Sequence, residues 1–279
     1  MIKVVTTFHS EGLKIYGQRF IDSFSTHVDK QIKLIVFAEN CSPTNPDSNQ
    51  IEIKDAQQII KLNQFKSRWN NVPKANGKCP FPEKRPRDYH KEFKWDAVRF
   101  ANKVYAVFHA VETEEADWIV WMDADTYVHS KITYEEFEKL LPMDRWITYV
   151  GRGKGVQTWP ECGFYGLNTH NETCKKFLKE FERMYEDAEN GIFKLPEWHD
   201  SYVFGDILKK LAVIDKNYLD YSEGIYNRTA KSGGGGHPFI NSILGKYFDH
   251  MKGARKKQGK SDIKKDLVSK RSESYWNEI

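Results

Sequence analysis

Short apolar runs alternate with longer segments of helical periodicity along most of the chain. Residues 2–8 predict a first strand, residues 13–26 place apolar side chains at helical spacing, and residues 32–37 predict a second strand. A strand, a helix and a strand at this spacing form a βαβ unit, which requires a parallel strand pair. The pattern therefore predicts an α/β fold with a mixed, mainly parallel sheet flanked by helices.

The apolar run at residues 118–122 ends at two carboxylates, Asp123 and Asp125. The run is too short for a buried helix, and side chains two apart on an extended chain point the same way. Ligands of open α/β sheets bind at the carboxyl ends of strands, and paired carboxylates suit Mg²⁺ or Mn²⁺. An isolated Asp-x-Asp is often a pair of solvated acids, but its position after a hydrophobic strand favours a metal site.

A helix is predicted from residue 93 to residue 111, directly before this strand. Asp96, Arg99 and Lys103 lie three and four positions apart in it, so they share one face. Such a face is commonly solvated. Because the helix leads into the strand that ends at the carboxylates, Arg99 is predicted to contact a bound anion or sugar.

Three later segments add candidate chemistry. Residues 161–168 predict a strand whose two glycines permit close approach of a ligand. Asp200 and Ser201 are candidates for helix capping as well as for an active site. A helix is predicted from Pro238 to about residue 248, after a tetraglycine at 233–236 that is typical of a mobile linker or lid.

Composition indicates a globular chain. It has 279 residues, 39% of them hydrophobic, enough for the core of one large α/β domain. No run approaches the roughly 20 apolar residues of a membrane span, and residues 1–8 do not resemble a signal peptide. We therefore expect a soluble, intracellular protein of the cytoplasm. The four cysteines show no metal-site spacing and are expected to be reduced.

The net charge of +4 conceals an asymmetry. Residues 252–271 contain nine Lys or Arg against two Asp, which leaves 34 basic and 37 acidic residues for the rest of the chain. A basic segment on a mildly acidic body predicts an anionic partner, such as a diphosphate, a nucleic acid or a membrane surface. The alternative is a solvated, partly disordered terminus.

Together these features resemble the GT-A (Rossmann-like) fold of nucleotide-sugar glycosyltransferases. The nearest pattern is that of the retaining family that includes glycogenin and bacterial lipopolysaccharide galactosyltransferases. The resemblance covers most of residues 1–257, predicted as a single GT-A domain, and leaves 258–279 as a basic C-terminal tail. Its specific motifs are the Asp-Ala-Asp that ends at Asp125 and an HxxGxxK formed by His250, Gly253 and Lys256. The family continues with Pro-Trp, where this chain has Lys-Gln.

The resemblance implies a donor site. Asp123, Asp125 and His250 would bind Mn²⁺ (or Mg²⁺), with Asp123 also near the donor ribose. Lys256 and the backbone of Gly253 would hold the diphosphate of the donor, most simply a UDP-sugar. The end of the first strand, at Thr6, Thr7 and Phe8, would cradle the nucleotide base.

Asp200 would lie beside the transferred sugar. We expect retention of anomeric configuration, because no second acidic constellation clearly marks the base that an inverting transfer needs. Glu161 is the alternative, as a carboxylate on a glycine-flanked strand that could deprotonate the acceptor. Since the HxxGxxK motif ends at Lys256, removal of everything beyond Gln258 is expected to leave donor hydrolysis largely unchanged.

The sequence does not identify the acceptor, which could be a glycan, a lipid, a protein or DNA, because acceptor sites lie in variable loops such as 64–92 and 151–160. Basic residues in 65–94 and 252–271 keep glycosylation of modified DNA bases as an alternative. A nucleotidyltransferase would use the same carboxylate pair, but with a glycine-rich basic loop that residues 6–10 lack. A non-enzymatic nucleic-acid-binding protein, acting through 252–271, would not need the carboxylates.

Overall fold

The computed structural model describes residues 1–80, 92–152, 159–225 and 237–277. Predictions for the tetraglycine 233–236, and for parts of the loops 64–92 and 151–160, lie outside these ranges. The strands are β1 Ile2–His9, β2 Lys33–Glu39, β3 Ile51–Asp55, β4 Trp118–Met122, β5 Thr126–Val128, β6 Ile147–Val150, β7 Glu161–Asn168, β8 Tyr218–Asp220 and β9 Phe248–His250.

Seven of these strands form one sheet in the order β3-β2-β1-β4-β7-β6-β8. β1 runs parallel to β2 and β4, and β2 runs parallel to β3. β7 lies antiparallel between β4 and β6, and β8 is parallel to β6. The predicted α/β class with a mixed, mainly parallel sheet is confirmed. β5 and β9 form a separate antiparallel pair.

Helices cover both faces of the sheet. They are α1 Ser10–Gly12, α2 Gln18–His27, α3 Ile60–Trp69, α4 Ala97–Thr113, α5 Tyr134–Glu138, α6 Glu172–Glu186, α7 Asp200–Ala212, α8 Pro238–Asn241, α9 Arg255–Gln258, α10 Ile263–Asp266 and α11 Ser274–Asn277. A π-helical turn, Leu13–Gly17, joins α1 to α2. One hydrophobic core lies beneath α3, α4, α6 and α7, and a second lies beneath α2, α5 and α8. Within the described residues, no helix combines the length and the apolar character needed to cross a membrane.

One predicted helix is wrong in its extent. The segment that begins at Pro238 leaves the helix after Asn241, and Phe248–His250 is strand β9. The ring of Phe248 is buried against the ring of Phe164, and the β9 backbone pairs with β5. The apolar spacing of this segment fits either structure, so the long-range pairing decided between them.

The basic segment 252–271 packs on the body of the protein, unlike a solvated terminus. Most of its charges form ion pairs: Lys252 with Glu161, Arg255 with Asp266, Lys256 with Asp125, Lys265 with Asp262, and Arg271 with Glu273. Trp276 is 3% exposed, and its Nε1 donates to the Gly245 carbonyl at 2.7 Å. The boundary between residues 257 and 258 stays a prediction.

Candidate active site

Asp123 and Asp125 follow β4 in a tight turn at the carboxyl end of the strand, as the sequence predicts. The Asp123 N–H donates to the carbonyl of Gly163 on β7 at 2.9 Å, which continues the antiparallel pairing past β4. The chain then turns into β5, which leaves the sheet. The two carboxylates therefore stand where a buried strand ends and ligands of α/β proteins bind.

The pairing of β5 with β9 brings the third residue to this turn. Thr126 lies opposite His250, and the Met251 N–H donates to the Asp125 carbonyl at 2.9 Å. The backbone hydrogen bonds thus join two segments that lie more than a hundred residues apart in sequence.

The ligand atoms of Asp123, Asp125 and His250 all lie within 4.8 Å of one another. Nε2 of His250 is 3.2 Å from Oδ1 of Asp125 and 3.4 Å from Oδ2 of Asp123. The imidazole is fully buried, and neither of its nitrogens makes a hydrogen bond to the described residues. A buried imidazole without such a bond, beside two carboxylates, fits the donor set of Mn²⁺ or Mg²⁺.

The charges of this group stabilise one another. Burial alone would lower the pKa of His250, but Asp125 and Asp123 outweigh it and raise that pKa to about 9. Burial would raise the pKa of Asp123, yet Lys103 and His250 hold it far below its usual range. The pKa of Asp125 is lowered despite burial, mainly by His250. Both carboxylates are therefore ionised at neutral pH, as metal ligands must be.

Lys256 approaches the same carboxylates from the solvent side. Its Nζ is 2.7 Å from Oδ2 of Asp125, and its side chain is 28% exposed. Gly253, three residues earlier, has φ of 59°, a left-handed conformation that favours glycine. The predicted diphosphate residues thus lie at the carboxylate pair, although their role stays a prediction.

Lys103 is the residue that sequence reasoning missed. Its Nζ lies 3.1 Å from Oδ1 of Asp123 and 2.9 Å from Oδ2 of Asp200, and it also donates to the Cys162 carbonyl. The side chain is 9% exposed, and Asp123 and Asp200 hold its pKa well above the usual value even though burial opposes this. The ammonium group therefore joins the predicted metal site to the predicted sugar site.

The signal for Lys103 was present in the spacing of Asp96, Arg99 and Lys103. The rotation of α4 against the sheet buries Lys103 and leaves Arg99 exposed, which spacing alone does not determine. Burial raises the pKa of the Tyr16 hydroxyl, and the charges of Lys256 and Arg99 oppose that rise. Arg99 thus lies near the site, and its contact with an anion or sugar stays a prediction.

Asp200 is 3% exposed and is the first residue of α7. The capping interpretation of Asp200 and Ser201 is wrong, because the N-cap is His199, whose Nδ1 accepts from the Tyr202 N–H at 3.3 Å. The Asp200 carboxylate does not cap the helix and instead forms an ion pair with Lys103. Sequence alone does not separate these roles, since imidazole caps are uncommon.

Glu161 is buried and forms ion pairs with Arg152 and Lys252. Its Oε1 lies 3.9 Å from Nδ1 of His250. Burial would raise the pKa of Glu161, but Lys252 and Arg152 outweigh it and hold the pKa well below the usual range. A carboxylate with so low a pKa is a weak general base.

The predicted base-binding residues lie at the end of β1. The side chains of Thr6 and Phe8 are 0% and 4% exposed, and the Thr7 hydroxyl donates to the Phe37 carbonyl at 2.7 Å. The Phe8 ring fills the space above Gly17, where an added Cβ would lie 3.0 Å from it. These side chains pack into the body of the protein, and a role in holding a nucleobase stays a prediction.

The chain is similar to solved structures of glycosyltransferases. It matches the bifunctional glycosyltransferase WbbM with 12% identity and a TM-score of 0.44, over 79% of this chain and 38% of that one. It matches GlyE of Streptococcus pneumoniae TIGR4 with 10% identity and a TM-score of 0.42, over 84% of this chain and 50% of GlyE. Mouse xyloside xylosyltransferase 1 matches with 10% identity and a TM-score of 0.43, over 85% of this chain and 95% of the mouse protein.

This chain spans half or less of WbbM and GlyE. No protein-family model and no curated protein matches the sequence. All three solved structures belong to the class that the sequence resembles, while the retaining subfamily stays a prediction. At such low identities and TM-scores the likenesses carry no conclusion about activity, which has to be argued from the site.

Proposed function

We propose that this chain is a metal-dependent glycosyltransferase that moves a sugar from a UDP-sugar to an acceptor. The observation that carries the proposal is the group formed by half-buried Asp123 with buried Asp125 and His250, with Lys256 against it. Cleavage of a sugar–diphosphate bond develops negative charge on the departing phosphate. A site with two ionised carboxylates for a cation, and a lysine beside them, suits that charge.

Asp123, Asp125 and His250 would hold Mn²⁺ or Mg²⁺, which supplies Lewis-acid stabilisation to the diphosphate when bound. The Lys256 ammonium, now paired with Asp125, is available to the diphosphate because the side chain is partly exposed. The left-handed turn at Gly253 lets the backbone approach the same phosphates. These groups act on charge that grows in the transition state, which is the binding that accelerates a reaction.

On the sugar side, Lys103 holds the Asp200 carboxylate in a fixed position relative to Asp123. Asp200 would orient the sugar and stabilise the positive charge that develops at its anomeric carbon. The bond from that carbon to the diphosphate oxygen breaks, and a bond to the acceptor oxygen forms. The acceptor proton passes to the departing diphosphate oxygen.

We propose that this transfer retains the anomeric configuration. Two cations pair with Glu161 and hold its pKa low, which makes it a weak base and supports retention over an inverting mechanism that would use it. Proton NMR of the first product from an α-linked donor tests this proposal. An α-linked product is expected, and a β-linked product would contradict retention.

Release of UDP from a panel of UDP-sugars in Mn²⁺ tests the function itself, with the same reaction in excess EDTA as the control. Slow hydrolysis that requires metal is expected. A nucleotidyltransferase would instead release pyrophosphate from a nucleoside triphosphate, and a nucleic-acid-binding protein would do neither. Mass spectrometry after addition of glycan, lipid, protein or DNA with modified bases would then identify the acceptor.

A further inference from the structure

The proposed metal ligands depend on a two-stranded pair that stands outside the main sheet. Asp125 immediately precedes β5, and His250 is the last residue of β9. The two strands pair over only three residues each. A ribbon this short is marginally stable by itself, so something else must fix the distance between Asp125 and His250.

Residues 259–277, which we term the C-terminal strap, pack against the back of this pair. Asp249 alternates with His250 along β9, so its side chain points away from the site and towards the strap. The side chain is 0% exposed. Its Oδ2 accepts from the Ser261 N–H at 2.9 Å and from the Tyr275 hydroxyl at 2.8 Å, and its Oδ1 accepts from Ser261 Oγ at 2.5 Å.

The strap also holds the β5 side of the pair. The Tyr275 ring stacks on His129, just beyond β5, with ring centroids 4.1 Å apart and planes 4° apart. The Trp276 ring meets the same imidazole edge-on at 5.4 Å. One end of the strap therefore contacts β9 through Asp249, and contacts β5 through Tyr127, whose ring centroid is 5.9 Å from that of Tyr275, and through His129 just beyond it.

We propose that Asp249 is a positioning residue for the metal site, and that the strap sets the spacing of His250 from Asp125. The carboxylate of Asp249 is buried, so it stays in place only while hydrogen-bond donors reach its two oxygen atoms. All three of the hydrogen bonds given above come from the strap. The inference rests on the proposed function, and it reverses the expectation that residues beyond Gln258 are dispensable.

The test compares Tyr275→Phe and Ser261→Ala with the matched control Tyr105→Phe. Tyr105 also donates its hydroxyl to a carboxylate, that of Glu186 at 2.6 Å, but it belongs to the first hydrophobic core, whereas Val128 of β5, Phe248 of β9 and Trp276 of the strap belong to the second. Mn²⁺ affinity is measured by electron paramagnetic resonance of the free ion, and thermal unfolding is followed in parallel. Outer residues that orient metal ligands typically change affinity by about 10- to 100-fold.

We expect Tyr275→Phe and Ser261→Ala to weaken Mn²⁺ binding by at least tenfold. Tyr105→Phe should lower the melting temperature by a similar amount to the two strap variants but leave Mn²⁺ binding unchanged. Hydrogen–deuterium exchange in EDTA should be faster at residues 126–128 and 248–251 in the two strap variants only. Unchanged Mn²⁺ affinity together with unchanged exchange would overturn the inference, as would equal losses in all three variants.

This design separates the two proposals. If the wild-type protein binds no Mn²⁺, the metal-dependent function fails. The exchange measured in EDTA then decides the role of the strap by itself: faster exchange at the two strands supports it, and unchanged exchange overturns it.

Discussion

Asp125 is the carboxylate on which a metal-dependent activity should depend most. We expect Asp125→Ala to abolish UDP release in Mn²⁺ with the fold intact, because one carboxylate does not hold the ion against water. UDP should raise the melting temperature of the wild-type protein only with metal present, and should not do so in the variant.

Asp206→Ala is the matched control for Asp125→Ala, because Asp206 pairs with Lys210 on the surface of α7. Its UDP release should equal that of the wild-type protein, and circular dichroism should show both variants folded. Full turnover of the wild-type protein in excess EDTA would contradict the metal requirement.

Lys103 should matter for stability as well as for turnover. Lys103→Met leaves the buried Asp200 and the half-buried Asp123 without their shared cation, and loss of one partner of a buried ion pair, here that of Lys103 with Asp200, costs about 3–5 kcal/mol. Urea denaturation measures the free energy of unfolding. Lys61→Met is the control, because Lys61 is 40% exposed in its pairs with Glu112 and Glu182 and should cost less than about 1 kcal/mol. Equal losses in the two variants would contradict the role of Lys103.

The pKa of His250 predicts a pH dependence of the metal-free protein. Asp125 and Asp123 raise this pKa from 6.5 to about 9 in the folded state. The protonated imidazole therefore stabilises the folded protein fully at any pH below 6.5, the pKa of His250 in the unfolded chain. This stabilisation is lost as the pH rises through about 9. The free energy of unfolding in EDTA, compared with His250→Gln, should therefore fall by roughly 3 kcal/mol over this range, at about 1.4 kcal/mol per pKa unit.

Metal binding should show the opposite trend in pH. A ligating imidazole must be neutral, so Mn²⁺ displaces a proton from His250, and the affinity should rise between about pH 6.5 and about pH 9. A wild-type protein whose stability relative to His250→Gln does not change with pH would contradict the ionised state of His250.

At the scale of elements, β7 determines where His250 can lie. A Cβ at Gly163 would stand 2.3 Å from Cε1 of His250, whereas one at Gly166 would meet Leu141 at 2.6 Å and Thr148 at 2.7 Å. Both Gly163→Ala and Gly166→Ala should lower the free energy of unfolding by about 1–3 kcal/mol, as overpacking does.

Only Gly163→Ala should also weaken Mn²⁺ binding, because its new methyl group displaces a ligand. Mn²⁺ titration of both variants, with thermal unfolding of each, separates the two effects. Equal Mn²⁺ affinities would show that the His250 ring does not need the space beside Gly163.

At the scale of the whole molecule, the C-terminal strap makes the proposed metal site depend on residues 259–277. A chain that ends at Gln258 should lose most of its Mn²⁺ affinity and expose β9, because Asp249 and His129 lose their partners. A chain that ends at Asn277 is the control and should bind Mn²⁺ as the full-length protein does. A folded chain ending at Gln258 with unchanged Mn²⁺ affinity would contradict the role of the strap.

Local patterns predicted what depends on neighbours in sequence. The apolar run before Asp123 predicted β4, and the helical spacing of the residues before it predicted α4. The position of Asp123 and Asp125 at a strand end followed from the same run. Hydrophobic periodicity encodes these features because burial of one face or one strand needs only the adjacent residues.

Tertiary structure decided which distant residues meet. Lys103 shared a predicted face with Arg99, and only the packing of α4 on the sheet turned it towards Asp123 and Asp200. His199, and neither Asp200 nor Ser201, is the N-cap of α7. The segment that ends at His250 is a strand because its backbone pairs with β5. The charge of 252–271 suggested a free basic tail, whereas the ion pairs of Lys252 with Glu161 and of Lys256 with Asp125 hold this segment against the body. Composition and spacing record the charges along a chain, but whether a charge is solvated or paired depends on which side chains the fold brings within a few ångströms of it.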